Sequence, residues 1–132
     1  MRATLALLLT FPAAILFAEI LYTPPTSMST MKVAMVACNV YVYHGTAQAP
    51  TPLNQAQIAN LGIIISSAGV IIVDSGTSRE HEKKLLEARS KITPQPVVAI
   101  FNTHIHGDHW LGNNIIHERF LTAQFYAHKG MI

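Results

Sequence analysis

Residues 97–109 read VVAIFNTHIHGDH, an apolar run followed directly by three histidines and an aspartate. The apolar run predicts a buried strand. Imidazole and carboxylate groups favour zinc as a bound metal, and they leave iron or manganese open. Because alternate residues of an extended segment point to the same side, His104 and His106 can bind one ion together. The stretch therefore predicts part of a metal site, with Asp108 and His109 at a neighbouring position.

Length and composition predict one small folded domain. The chain has 132 residues, of which 50% are hydrophobic and 12% are charged, so we expect a packed core rather than disorder. A net charge of +2 offers no basic surface for nucleic acid. The single cysteine, Cys38, cannot form an intramolecular disulfide or a thiolate metal cluster, and we expect it to be a small core side chain.

The N-terminal segment differs from the rest of the chain. An almost wholly apolar run over residues 5–17 follows a positive start, which is typical of a secretory signal peptide. We predict a signal peptide over residues 1–18, a linker over residues 19–31, and a secreted or periplasmic protein. Because a membrane span needs about 20 apolar residues and Glu19 ends this run, we expect no stable span. An uncleaved anchor or a later start site is the alternative.

The remaining sequence alternates strand and helix patterns. Two β-branched runs, residues 61–65 and 70–73, flank a short polar turn and predict an antiparallel hairpin. Ser78 predicts the N-cap of a helix from Arg79 to about Lys91, with His81 on its solvated face. Further predicted elements are one strand or a bent pair over residues 32–43, a strand over 97–103, a helix over 110–120 and a strand over 121–127. This order predicts an α/β layered domain.

Two motifs resemble those of a known family. THIHGDH, residues 103–109, followed by Leu111-Gly112-Asn113, resembles the signature of the metallo-β-lactamase fold superfamily. GVIIVDSG, residues 69–76, is similar to the family's strand that ends in an aspartate before a glycine turn. Residues 41–45 and 58–62 resemble one branch of the family, the quinoprotein relay system zinc metallohydrolases. The resemblance covers about residues 32–132.

This resemblance implies both an architecture and a chemistry. It implies a four-layer αββα sandwich that holds two zinc ions at the open edge between its sheets. His104 and His106 would bind one ion, Asp108 and His109 the second, and Asp74 would orient the metal loop from behind. The implied reaction is attack by a metal-bound hydroxide on an ester, lactam or thioester of a small-molecule substrate. Asp108 would also act as a catalytic residue that orients the attacking water.

The family pattern continues beyond these motifs. It requires a later histidine, a bridging aspartate and a final histidine, whereas only His117 and His128, and no aspartate, follow His109. We therefore expect residues 32–132 to be the N-terminal half of the sandwich, truncated, with a site that needs the missing C-terminal half. We do not expect this partial chain to catalyse alone. The alternatives are a secreted non-hydrolytic metal-binding or quinoprotein-assembly accessory protein, and an inactive fragment.

Overall fold

The structure is a computed structural model that describes residues 31–131. These residues form one six-stranded sheet with helices packed against it. The predicted signal peptide and all but the last residue of the predicted linker lie outside the described residues. The strands neighbour one another in chain order: β1 (Val33–Ala37), β2 (Val40–Tyr43), β3 (Leu61–Ser66), β4 (Gly69–Val73), β5 (Val97–Asn102) and β6 (Gln124–Ala127).

Strand direction changes in the middle of this sheet. Strands β1 to β4 are antiparallel to their neighbours, whereas β4, β5 and β6 run parallel. The predicted hairpin is confirmed as β3 and β4, which pair Ile63 with Ile72. Because β4 and β5 are parallel neighbours, their carboxyl ends lie at the same edge of the sheet. Asp74, which follows β4, and Thr103, which follows β5, therefore come together.

Three α-helices accompany the sheet: α1 (Arg79–Ile92), α2 (Gly107–Trp110) and α3 (Asn113–Arg119). Helix α1 begins as predicted, since the Ser78 side chain accepts a hydrogen bond of 3.2 Å from the His81 backbone N–H. The single helix predicted over residues 110–120 is wrong, because the chain breaks into α2 and α3 at Leu111 and Gly112. None of the helices within residues 31–131 is long and apolar enough to cross a membrane.

The hydrophobic core lies between the sheet and the helices. Strands β3 and β4 contribute alternate side chains that are almost fully buried, namely Leu61, Ile63, Val70 and Ile72, and β5 contributes Val97 and Ile100. The helices contribute Leu85 and Leu86 of α1 and Ile115 and Ile116 of α3, and Ala59 and Ala123 complete the cluster. This alternation is the period-two pattern of strands that bury one face. The core thus fixes the edge of the sheet where β4 and β5 end.

The opposite face of the sheet carries apolar side chains that stay partly exposed. The rings of Phe101 on β5 and Tyr126 on β6 stack at 4.7 Å between centroids, and they are 44% and 48% exposed. Ile64, Ile71 and Val73 are half-buried on the same face. Residues 31–131 therefore form one sheet layer and one helix layer, as expected for half of the four-layer sandwich.

Two side-chain placements predicted from the sequence are wrong. His81 was predicted to be solvated, but it is fully buried, as is the neighbouring Glu82. Burial, with a smaller effect of the Lys84 charge, lowers the pKa of His81 to about 4. Cys38 was predicted in the core, but it is exposed. It lies in the turn between β1 and β2, where Asn39 adopts a positive φ of 61°.

Candidate metal centre

Asp74 is the organising side chain at the edge where β4 and β5 end. It is 3% exposed and accepts three hydrogen bonds. The Thr103 backbone N–H donates to Asp74 Oδ1 at 2.8 Å, and the Thr103 hydroxyl donates to Oδ2 at 2.7 Å. His109 Nδ1 lies 2.7 Å from the same Oδ2. Because a carboxylate only accepts, this contact makes Nδ1–H the donor and leaves His109 Nε2 free for another partner.

The side chains of the predicted metal motif lie together in front of Asp74. His104 Nε2 is 3.2 Å from His106 Nδ1, and His109 Nε2 is 3.5 Å from Asp108 Oδ2. The ring centroids of His104 and His109 are 3.9 Å apart. The four residues are thus arranged as two adjoining pairs, one of two imidazoles and one of an imidazole and a carboxylate.

Both separations suit zinc coordination. Two ligand atoms on one tetrahedral zinc ion, each about 2.0–2.1 Å from the metal, lie roughly 3.3 Å apart. The His104–His106 and Asp108–His109 separations, 3.2 and 3.5 Å, are close to that value. Within residues 31–131, however, no three histidine, cysteine, aspartate or glutamate side chains are grouped so that they could hold one ion. The donor types and their spacing fit two ions, with two described ligands for each.

Backbone hydrogen bonds join the loop that carries these donors to the segment after β4. Ser75 N–H donates to the His109 carbonyl at 2.8 Å, and Gly112 N–H donates to the Gly76 carbonyl at 3.0 Å. The Ser75 hydroxyl donates to Asn113 Oδ1 at 2.7 Å. Gly112 must be glycine for this approach, since a Cβ there would lie 2.2 Å from the Ser75 carbonyl oxygen. These contacts fix the His109 backbone as Asp74 fixes its ring.

The other histidines lie apart from this cluster. His117 on α3 is exposed and lies 6.2 Å from the Phe125 ring, and His128 Nδ1 accepts a hydrogen bond from the Gly130 backbone N–H. His44 is exposed at the end of β2. Thr103 precedes the first histidine directly, but no individual role was predicted for it from the sequence. Its position next to a predicted metal ligand was the sequence feature that could have identified it as part of the site.

A recess of about 500 Å³ opens beside the second pair of donors. Asp108 and His109 form one side of it, and the loop after β2 forms the other. The polar side chains of that loop and of the start of β3 are uncharged, namely Thr46, Gln48 and Asn60. The recess is therefore an open, hydrogen-bonding space that reaches two of the four candidate ligands.

Comparisons with known proteins identify the family of this chain. The family described as the metallo-beta-lactamase superfamily matches residues 56–131, which is more than half of the chain. A linear primary-alkylsulfatase from a Pseudomonas species is 43% identical over 47 residues, which make up 36% of this chain and 9% of that protein. The chain therefore spans a small part of that relative's length.

Solved structures share the fold. The stereoselective inverting sec-alkylsulfatase of a Pseudomonas species superposes with a TM-score of 0.59 at 23% identity, over 75% of this chain and 15% of that one. A metallo-beta-lactamase from Hirschia baltica superposes with a TM-score of 0.60 at 18% identity, over 76% of this chain and 44% of that one. Together with the family match, these superpositions confirm the predicted partial αββα fold. The chain belongs to the metallo-beta-lactamase superfamily.

Proposed function

We propose that this protein is a zinc-dependent hydrolase that acts on an ester, lactam or thioester of a small molecule. His104 and His106 are assigned to one ion, and Asp108 and His109 to a second. The observation that carries the proposal is the arrangement of these donors as two pairs, 3.2 and 3.5 Å apart, at one edge of the sheet. Superfamily membership and hydrolases among the similar proteins support a metal-dependent hydrolase.

A bound divalent ion supplies the reactivity, because it lowers the pKa of its water and polarises the bond to be cleaved. The protein's own groups supply position. Asp74 holds His109 with Nδ1 protonated, so that Nε2 is free to bind. We assign Asp108 a second role, as a hydrogen-bond acceptor that orients the attacking water. Its carboxylate is partly exposed and lines the recess, as this role requires.

The recess supports a neutral or weakly polar group at the reacting end of the substrate. The side chains that line it are uncharged apart from the donors themselves. Amide and hydroxyl groups donate and accept hydrogen bonds, which suits an ester, lactam or thioester carbonyl. A linear primary-alkylsulfatase is among the similar proteins, so an alkyl sulfate, whose reacting group is anionic, is included in the substrate panel as a test of this inference.

The full chain tests this proposal with zinc and a substrate panel. Zinc binding is measured by equilibrium dialysis for the wild type, for His106→Gln, and for His117→Gln as the control at an exposed histidine away from the cluster. We expect weaker zinc binding in His106→Gln alone. Hydrolysis of an aryl ester, an alkyl sulfate, a β-lactam and a thioester is then measured with zinc present. An undetectable or equal zinc affinity in all three proteins would contradict the proposal.

A second candidate function follows from the number of ligands. Residues 31–131 offer two described ligands for each ion, and fewer protein ligands mean weaker binding and a less defined site. Because residues 32–132 alone are not expected to catalyse, zinc binding through His106 without hydrolysis is the result expected of this chain. The same result for the protein with the predicted C-terminal half would favour a non-hydrolytic metal-binding role. Zinc-dependent hydrolysis that is lost in His106→Gln would favour the enzyme.

A further inference from the structure

Thr103 stands between Asp74 and the first proposed ligand, His104. Its hydroxyl lies 2.7 Å from Asp74 Oδ2 and 2.9 Å from His104 Nδ1. Thr103 N–H donates to the other carboxylate oxygen of Asp74 at 2.8 Å, which holds the threonine in place independently of its side chain. The hydroxyl therefore bridges a buried carboxylate and a half-buried imidazole.

The direction of these hydrogen bonds follows from what each group can do. The Asp74 carboxylate only accepts, so the single hydroxyl proton of Thr103 is donated to it. The Thr103 oxygen can then only accept from His104, which requires the proton of that ring to be on Nδ1. His104 Nε2 then carries the lone pair, and it lies within hydrogen-bond distance of His106 Nδ1, at 3.2 Å. Asp74 is thus linked to His104 by hydrogen bonds through the Thr103 hydroxyl, and it is hydrogen-bonded to His109 directly.

We propose that Thr103 is a positioning residue, whose hydroxyl fixes His104 in the Nδ1-protonated tautomer and so presents Nε2 to the metal. This inference rests on the proposed assignment of His104 as a metal ligand. A histidine side chain in water favours the other tautomer, in which Nε2 carries the proton. The threonine therefore fixes the tautomer of His104 in the metal-free protein. Hydrogen-bond partners of metal-binding histidines commonly have this effect.

The tautomers of His104 and His109 can be read in the zinc-free protein by long-range ¹H–¹⁵N correlation NMR of the full chain. Thr103→Val keeps the shape of the side chain but removes the hydroxyl, and Thr103→Ser keeps the hydroxyl. In the wild type and in Thr103→Ser, we expect both histidines to carry the proton on Nδ1. In Thr103→Val, we expect His104 alone to change to the Nε2-protonated form. His109 is the internal control, because its bond to Asp74 does not involve the hydroxyl.

A zinc titration followed through the same signals gives the functional consequence. We expect the apparent dissociation constant reported by His104 to rise about 10-fold in Thr103→Val, and to be restored in Thr103→Ser. Thr122→Val is the matched control, since Thr122 is exposed and its side chain has no hydrogen bond among the described residues. If Thr103→Val does not fold, Thr103→Ala removes the same hydroxyl without the branched methyl group.

Two results would overturn the inference. One is a His104 that keeps its Nδ1 proton in Thr103→Val, and the other is a Thr103→Ser protein that behaves like Thr103→Val. The tautomer measurement needs no zinc. A protein that binds no zinc but changes tautomer as expected would contradict the proposed function and leave the role of Thr103 standing.

Discussion

Replacing Glu82 with glutamine is expected to stabilise the protein at neutral pH and to change its stability little in acid. The Glu82 side chain on α1 is fully buried, and neither of its carboxyl oxygens has a hydrogen-bond partner within the described part of the chain. This burial raises the pKa of Glu82 well above its ordinary value of 4.5. The folded protein therefore keeps a proton on Glu82 that the unfolded chain releases.

Proton linkage sets the size of the effect. The stability that neutral Glu82 contributes is fully present below the unfolded pKa of 4.5, and it is lost as the pH rises from there through the folded pKa. Each pH unit in that interval lowers the free energy of unfolding by about 1.4 kcal/mol. Glutamine has a similar shape and does not ionise. Its advantage over the wild type should therefore grow by about 1.4 kcal/mol per pH unit and level off above the folded pKa.

His81, in the same helical turn, has the opposite effect on the pH dependence of stability. Its pKa falls from 6.5 to about 4 on folding, so its contribution is present above pH 6.5 and is lost as the pH falls towards 4. The full contribution of His81 to the free energy of unfolding is about 3 kcal/mol. In the wild type, the effects of His81 and Glu82 on the free energy of unfolding oppose each other as the pH rises from 4.5. We expect the stability of the wild type to rise less with pH than that of Glu82→Gln, in which only the His81 effect remains.

Urea denaturation of the full chain at several pH values measures these profiles. Circular dichroism and the fluorescence of Trp110, the single tryptophan, report unfolding. EDTA is present throughout, so that metal binding adds no pH dependence of its own. Glu80→Gln is the matched control, because Glu80 is exposed on the same turn and its profile should parallel that of the wild type. Parallel profiles for Glu82→Gln and the wild type would refute the reasoning.

Two further predictions concern the loop of proposed ligands. Asp74→Asn replaces the acceptor of His109 Nδ1–H with an amide, so we expect zinc affinity, measured by calorimetry, to fall about 10-fold or more; unchanged affinity would show that the carboxylate does not position the ring. Gly112→Ala should lower the free energy of unfolding by about 1–3 kcal/mol in urea titrations, because its Cβ would lie 2.2 Å from a backbone oxygen. Gly107→Ala, whose Cβ would meet only a leucine side chain, should cost less than about 1 kcal/mol, and equal costs would contradict the steric argument.

The sequence predicted those parts of the structure that local patterns specify. The hairpin of β3 and β4 follows from two β-branched runs around a short turn, and the start of α1 follows from the Ser78 cap. The clustering of His104 with the other metal-motif residues also follows from local spacing. Each of these features depends on residues that are close together in the chain.

The errors have two different physical causes. His81 and Glu82 have residue types typical of a solvated face, but their four-residue spacing from Leu85 and Leu86 places them on the buried side of α1. That spacing was a local signal of burial. The break between α2 and α3 depends on the close approach of Gly112 to Ser75, which is remote in sequence, and local patterns contain no information about this contact.

Three predictions concern properties that the described residues do not test. Export through a signal peptide over residues 1–18 stays a prediction, as does membership of the quinoprotein branch. The need for further ligands from a C-terminal half stays a prediction too. N-terminal sequencing of the protein recovered from a periplasmic fraction would test the first, because cleavage after Ala18 would leave Glu19 as the first residue.

The assignment of four side chains as two metal-binding pairs is tested most directly by zinc anomalous scattering from crystals of the full chain grown with zinc. We expect two anomalous peaks at the edge of the sheet where β4 and β5 end. One should lie within bonding distance of His104 Nε2 and His106 Nδ1, and the other within that distance of Asp108 Oδ2 and His109 Nε2. Zinc bound only at His117, His128 or another surface position, with this edge empty, would contradict it.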